Sequence, residues 1–233
     1  MKCIAIISSP LQILNFNEYV NNNDINKFLL IILVYNKKEL IRIKKLIDLY
    51  KISSYKIIKG KFFIQYYSLY ALAKKISKTE KLIIGNFFSD PHLYFANRLN
   101  FKEILVLDDG INTTLIPKFI ATNKKILRSS YIRNLIFKFF NINVDYPHKI
   151  SLFTIFKKIN SEYIKVLPNN LSLTKKMISN IDLRSQVFFI GQPLVELGII
   201  DKSNYFKCLE KLKSKYLSLT YIPSRKESKL KIK

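Results

Sequence analysis

The sequence predicts an α/β protein built on a parallel β-sheet covered on both faces. Two features of the chain carry this. Short, unbroken apolar runs of strand length recur along it, and between them lie stretches whose apolar residues fall at helical spacing with lysines on the other face. A strand buried on both faces reads as a continuous apolar run, and parallel neighbours need a crossover, so the alternation specifies βα units. With 233 residues, 48% of them hydrophobic and 13% aromatic, the chain can bury a substantial core.

The elements follow in order. KCIAIIS at 2–8 is a short buried strand, and a helical pattern begins after Pro10. KFLLIILVY at 27–35 is a second strand; Leu40, Ile43, Ile47 and Tyr50 then recur at helical spacing among lysines. YKII at 55–58 leads into a helix over about 62–76, KLIIG at 81–85 into a helix over about 91–99, and EILVL at 103–107 into two aspartates. The pattern loosens over 111–149, apart from a helical stretch over 126–140. It resumes with SLFTIF at 151–156, YIKVLP at 163–168, VFFIG at 187–191, a helix over about 204–216 and LSLTYIP at 217–223. DYPHK at 145–149 interrupts the periodicity and suggests a domain boundary, dividing the chain into 1–147 and 148–233. The second block is too short for a full doubly wound domain and reads as short or truncated.

Several function classes lose support. No run is long and apolar enough for a membrane span, and the apolar N-terminal stretch breaks at Ser8, Ser9 and Pro10 unlike a secretory signal, so a cytoplasmic protein is expected. Only five glycines are present, and no glycine-rich fingerprint follows the first strand, which argues against nicotinamide or P-loop chemistry. Cys3 and Cys208 have no metal-type spacing and read as two buried thiols; with two histidines, His92 and His148, a zinc site is not expected. The net charge of +24 points to an anionic partner. Its lysines are scattered rather than clustered and no nucleic-acid-binding signature accompanies them, so attraction to an anionic bilayer is expected and no specific nucleic acid.

The stretch EILVLDDGINTTL at 103–115 ends an apolar strand in two adjacent carboxylates. Ligands of open parallel sheets sit outside the carboxyl ends of the strands, where Asp108 and Asp109 fall, with Gly110 freeing the turn. A carboxylate there can act as general base toward a sugar hydroxyl, its pKa raised by its neighbour. It can equally cap the segment GINTTL. Spacing alone leaves both open.

Six stretches in order, SSPLQILN at 8–15, GNFFSDPHLYFANRL at 85–99, VLDDGINTTL at 106–115, LFTIF at 152–156, FIGQPLVELGII at 189–200 and YIPSRKE at 221–227, resemble the bacterial lipooligosaccharide sialyltransferases of glycosyltransferase family 52 and related polysialyltransferase-like capsule and lipooligosaccharide enzymes. The resemblance covers nearly the whole chain. It implies a GT-B-like fold of two Rossmann-like parallel-sheet domains and inverting, metal-independent transfer of sialic acid from CMP-sialic acid, with no further cofactor. An acidic-acidic-glycine motif would supply the base, here Asp109 with Asp108 beside it, before Gly110. On the acceptor side it implicates Ser9, Asn86, Ser89 and His92. On the donor side it implicates Gly191, Gln192, Pro193, Ser224, Arg225 and Glu227. Partners would be a nucleotide-sugar donor, a lipid-linked glycan acceptor, the inner face of the inner membrane as a peripheral contact, and a second copy in a homodimer.

The chain departs from that pattern at Ser224, which stands where these enzymes carry a histidine. Imidazole can protonate a departing nucleotide, whereas a serine hydroxyl only hydrogen-bonds it; Arg225 remains a phosphate partner. The serine-rich donor loop expected further on falls beyond Lys233. The alternative is therefore an inactive or truncated remnant that binds only nucleotide or a glycan-assembly partner.

Overall fold

The computed structural model describes residues 3–60, 62–76, 78–122, 131–156, 159, 161–178, 187–191, 194–195, 198–216 and 218–222. The chain forms two compact units, Met1–Thr174 and Lys175–Lys233.

The first unit holds seven strands: β1 (Cys3–Ile7), β2 (Phe28–Val34), β3 (Tyr55–Lys59), β4 (Thr79–Ile84), β5 (Phe101–Leu107), β6 (Ile150–Thr154) and β7 (Ile164–Pro168). All pair in parallel, in the order β3-β2-β1-β4-β5-β6-β7. This is a doubly wound, Rossmann-like sheet whose order reverses between β1 and β4. The expected boundary at 147/148 is therefore corrected. Residues 145–149 lead into β6, which pairs with β5 through Leu105–Ser151 to Leu107–Phe153, and the unit runs on to Thr174. The break in helical periodicity marks an added connection, not a new domain.

Residues of each strand alternate between two cores. Ile4, Ile6, Leu82, Ile84, Ile104 and Val106 face one; Ala5, Ile7, Ile83, Leu105 and Leu107 face the other. That is why the strands read as unbroken apolar runs. Helix α1 (Pro10–Asn22) and helix α2 (Lys37–Leu49) cover the second core with Ile13, Phe16, Ile43 and Ile47. Helices α3 (Phe62–Lys75), α4 (Asp90–Arg98), α5 (Ile116–Thr122) and α6 (Tyr131–Phe139) contribute Leu69, Phe95, Ile120 and Phe137 to the first. Of the helix expected over 126–140, residues 126–130 lie outside the described residues.

Helix α7 (Ser172–Ile178), absent from the sequence-based expectation, starts on Glu18. That carboxylate is buried on α1 and accepts from the backbone N–H groups of Leu173 and Thr174 at 3.1 and 2.7 Å and from Thr174 Oγ1 at 2.8 Å. A side chain distant in sequence thus satisfies the orphan donors of a helix start.

In the second unit, β8 (Val187–Ile190) and β9 (Leu219–Ile222) pair in parallel, with helix α8 (Lys202–Lys215) between them in sequence. Asp201 caps α8 by accepting from Asn204 N at 2.9 Å. Tyr205 and Leu209 turn inward, and the hydroxyls of Tyr205 and Tyr221 lie 3.0 Å apart. Cys3 is buried as expected, its thiol pushed up to about 11 by desolvation, but Cys208 is exposed on α8, which corrects the expectation of two buried thiols. No described helix is long and apolar enough to cross a membrane.

Glu18→Ala removes the cap and strands buried donors, so the unfolding free energy should fall by about 2 kcal/mol or more, with Glu18→Gln intermediate. Urea unfolding checks this; an unchanged midpoint in Glu18→Ala would contradict the role given to the carboxylate.

Candidate active site at the carboxyl edge of the sheet

The reversal of strand order sends α1 to one face of the sheet and α4 to the other, opening a crevice above β1 and β4. Asp109, just past β5, stands beside it. The side chains that meet there come from the start of α1, from the loops after β4 and β5 and from the end of β6.

The two aspartates differ completely in surroundings. Asp108 is buried, and both its oxygens are occupied. Oδ1 accepts from Gly110 N at 2.9 Å and Thr113 Oγ1 at 3.0 Å; Oδ2 accepts from Thr154 Oγ1 at 2.7 Å and Ile155 N at 3.2 Å. Four donors fill its capacity and tie β5 to β6. Gly110, at a φ of +81°, makes the turn that brings its N–H back onto this carboxylate.

Asp109 is half-buried and holds two side-chain amides: Oδ1 accepts from Gln12 Nε2 at 2.8 Å and Oδ2 from Asn86 Nδ2 at 2.6 Å. Its backbone N–H donates to Thr113 Oγ1, but its side chain makes no capping bond to the 3₁₀ turn Gly110–Leu115 that follows. The capping alternative thus goes to Asp108. Each oxygen of Asp109 keeps lone-pair capacity for another donor. Desolvation, with a smaller contribution from the Asp108 charge, raises its pKa above the ordinary aspartate value, against the lowering by the Gln12 amide.

Both amides are aimed by their other ends. Gln12 Oε1 accepts from Ser8 N at 2.7 Å and Asn86 Oδ1 from Phe88 N at 2.7 Å, so in each case the NH₂ group must face Asp109. Gly85 makes room for the first: a Cβ there would lie 2.3 Å from Gln12 Oε1. Behind them, Asn15 Nδ2 donates to the Asp108 carbonyl at 2.8 Å, and Asn169 Nδ2 to Asn15 Oδ1 at 3.0 Å.

Of the expected acceptor-side residues, only Asn86 touches Asp109. Ser9 caps α1, its Oγ accepting from Gln12 N at 3.3 Å, and so helps to place Gln12. Ser89 occupies the cap position of α4 without a side-chain capping bond. His92 is fully buried, which corrects the expected acceptor contact. Its Nδ1 accepts from Asn86 N at 3.1 Å, and burial lowers its pKa to about 3. It supports the Asn86 loop as a neutral ring. His148 is exposed.

On the donor side, Gly191 continues β8, its N–H donating to Ile222 O at 2.8 Å. Gln192, Pro193, Ser224, Arg225 and Glu227 lie outside the described residues. Among the described residues, no three His, Cys, Asp or Glu side chains gather as a metal ion would require. Gln12, Asn15, Thr113 and Thr154 were not singled out from the sequence. Gln12, Asn15 and Glu18 recur every third residue along α1, a buried polar stripe that marks hydrogen bonding.

The chain is thus a parallel-sheet α/β protein with an oriented carboxylate beside its topological switch point. No family model matches it, and neither does any curated protein.

Gly85→Ala must displace Gln12 and should cost about 1–3 kcal/mol. In a Gln12→Ala background the same change should cost far less, because the two side chains compete for one space. Urea unfolding of the four proteins in this cycle checks the coupling; strictly additive costs would contradict it.

His92 should show no titration between pH 5 and 8. Its folded pKa lies below the unfolded value near 6.5, so the unfolded chain takes up the proton first as pH falls. The stability it contributes is complete above about pH 6.5 and declines toward pH 3. His92 imidazole NMR signals, assigned by their loss in His92→Gln, that titrate near 6.5 would contradict the burial argument.

Proposed function

We propose that this chain is a sialyltransferase-like glycosyltransferase. It moves sialic acid from CMP-sialic acid to a hydroxyl of a lipooligosaccharide or capsular glycan, with Asp109 as general base. The observation that carries the proposal is the state of Asp109: half-buried beside the switch point, aimed by two locked amides, with a raised pKa and spare acceptor capacity. The six ordered sequence stretches supply the substrate class.

In the proposed reaction the acceptor hydroxyl donates to an Asp109 oxygen. As its oxygen attacks the anomeric carbon of sialic acid, the proton passes to Asp109, the new C–O bond forms and the bond to the CMP phosphate breaks. A single displacement inverts the centre. Gln12 and Asn86 hold the carboxylate still during attack, a positioning effect that lowers the barrier through prepaid orientation. Asp108 acts through the turn it holds. In this proposal the second unit belongs to the donor domain of a GT-B arrangement, where Gly191, Gln192 and Pro193 flank the nucleotide. Ser224, Arg225 and Glu227 hold its phosphate and ribose, with Arg225 offsetting phosphate charge in place of a metal.

Release of CMP and formation of sialylated glycan, measured with purified protein and a lipooligosaccharide acceptor, test this. Asp109→Asn should keep the fold and lose about 100- to 10,000-fold in transfer rate, because an amide cannot take the proton. Transfer by Asp109→Asn near the parent rate would remove the base assignment. Parent protein that binds CMP yet transfers nothing would favour the binding-only alternative.

The base must be ionised, and its pKa is raised, so kcat/KM should fall as pH drops through a point above the ordinary aspartate range. An acid limb at or below that range would show that another group limits the rate.

A further inference from the structure

Helices α3 and α6 leave an apolar surface uncovered. On α3, Phe63 and Ile64 are each 59% exposed and Tyr67 is 74% exposed; on α6, Leu135 is about half exposed and Phe139 is 84% exposed, and Phe140, just past its end, is about half exposed. The two helices meet here, with the Phe63 and Phe140 rings 5.7 Å apart and Phe139 packed edge-on to Phe140 at 5.1 Å. Leu135, Ile136, Lys138, Phe139 and Phe140 line a shallow groove of about 570 Å³. The surface is fixed from beneath: Phe137 and Tyr66, on the inner sides of the same helices, are buried in the core with their rings 5.9 Å apart. These aromatics are therefore held outward by the fold. Contiguous exposed apolar surface of this kind marks a docking face.

The charge around it chooses the partner. Neither helix contains an acidic residue. Phe63, Tyr67, Tyr70 and Lys74 form one stripe along α3, at spacings of four, three and four residues, running from apolar through phenolic to cationic. Lys74 Nζ lies 4.7 Å and the Arg98 guanidinium 5.6 Å from the centre of the Tyr70 ring, and Lys138 stands between the exposed side chains of α6. Aromatic rings with long cationic side chains beside them match the layered chemistry of a bilayer surface, apolar below and anionic at the headgroups. A protein partner would need a large apolar patch rimmed with acid.

We infer that the α3–α6 face is a docking surface for an anionic lipid bilayer. Phe63, Ile64, Tyr67, Phe139 and Phe140 enter the headgroup boundary, while Lys74 and Lys138 contact lipid phosphates. The N-terminal end of α3, with Phe63 and Ile64, lies at the carboxyl edge of the sheet, the edge that carries Asp109, since it follows β3 directly. This names a surface for the bilayer attraction expected from the net charge, draws on residues apart from the proposed catalytic site, and holds whatever reaction Asp109 performs.

Co-sedimentation with phosphatidylcholine vesicles, with and without phosphatidylglycerol, tests the inference without any sugar substrate. The protein should bind the anionic vesicles. Tyr67→Ser/Phe139→Ser should weaken that binding about tenfold or more, since each ring is a large apolar anchor. Leu135→Ser, a milder exposed change, should weaken it less. Lys74→Gln/Lys138→Gln should weaken it about fivefold per lysine at low salt and hardly at high salt. Asp109→Asn should bind as the parent does, so loss of transfer and loss of docking read out separately. The substituted positions on α3 and α6 are exposed, and circular dichroism verifies folding of every variant. No binding to anionic vesicles, or undiminished binding by Tyr67→Ser/Phe139→Ser, would overturn the inference. So would self-association that this variant abolishes without vesicle binding, which would make the face an interface between copies.

Discussion

Gln12, in the first turn of α1, and Asn86, in the loop after β4, reach Asp109 from elements that leave the sheet in opposite directions, and that convergence depends on the reversal between β1 and β4. Both faces of a parallel sheet must be covered, so α1 packs on one side and α4 on the other. Where two such neighbouring strands part company, the loops above them open a crevice with polar groups on both rims. Hydrogen bonds from Ser8 N and Phe88 N lock the two amides, so the backbone of the crevice itself decides which atoms face the carboxylate. Gly85 is part of the same arrangement, since any side chain there would occupy the space of the Gln12 amide.

The adjacent carboxylates are tolerated because they share the work unequally. Asp108 receives four donors from two segments, the turn after β5 and the end of β6, and anchors the edge of the sheet. A buried carboxylate with fewer partners would cost several kcal/mol, so the hydroxyls of Thr113 and Thr154 are as necessary as the charge they satisfy. Asp109 gives up part of its hydration for two amide bonds and one neighbouring like charge. The balance raises its affinity for a proton, which suits a base that must accept one during bond formation.

Much of the first unit was legible in the sequence because its strands are buried on both faces. KFLLIILVY and EILVL could be little else, and each lies within two residues of its observed strand. The boundary near residue 147 failed for a physical reason: DYPHK lacks helical periodicity, but a sheet edge can extend after any connection, and only the pairing of β6 with β5 shows that it does. Helix α7 was hidden because its start is capped by Glu18, more than 150 positions away. The carboxylate pair was visible at once, whereas the division between a half-buried carboxylate with spare acceptor capacity and a fully bonded anchor was not, since it turns on Thr113, Thr154, Gln12 and Asn86 converging through the fold. His92 sits in a polar stretch, DPHLY, and nothing local reveals that its ring is covered completely. Gln12, Asn15 and Glu18 were readable as a polar stripe on α1, but the stripe names no partner.

The most direct test of the account is a carbon-detected NMR titration of the Asp109 carboxyl in the intact chain, assigned by its loss in Asp109→Asn. A titration midpoint above the ordinary aspartate value, moving further upward in Gln12→Leu where the lowering amide is gone, is the predicted result. A midpoint at or below the ordinary value, insensitive to Gln12→Leu, would mean that Asp109 is neither desolvated nor held as described, and would contradict the role of base proposed for it.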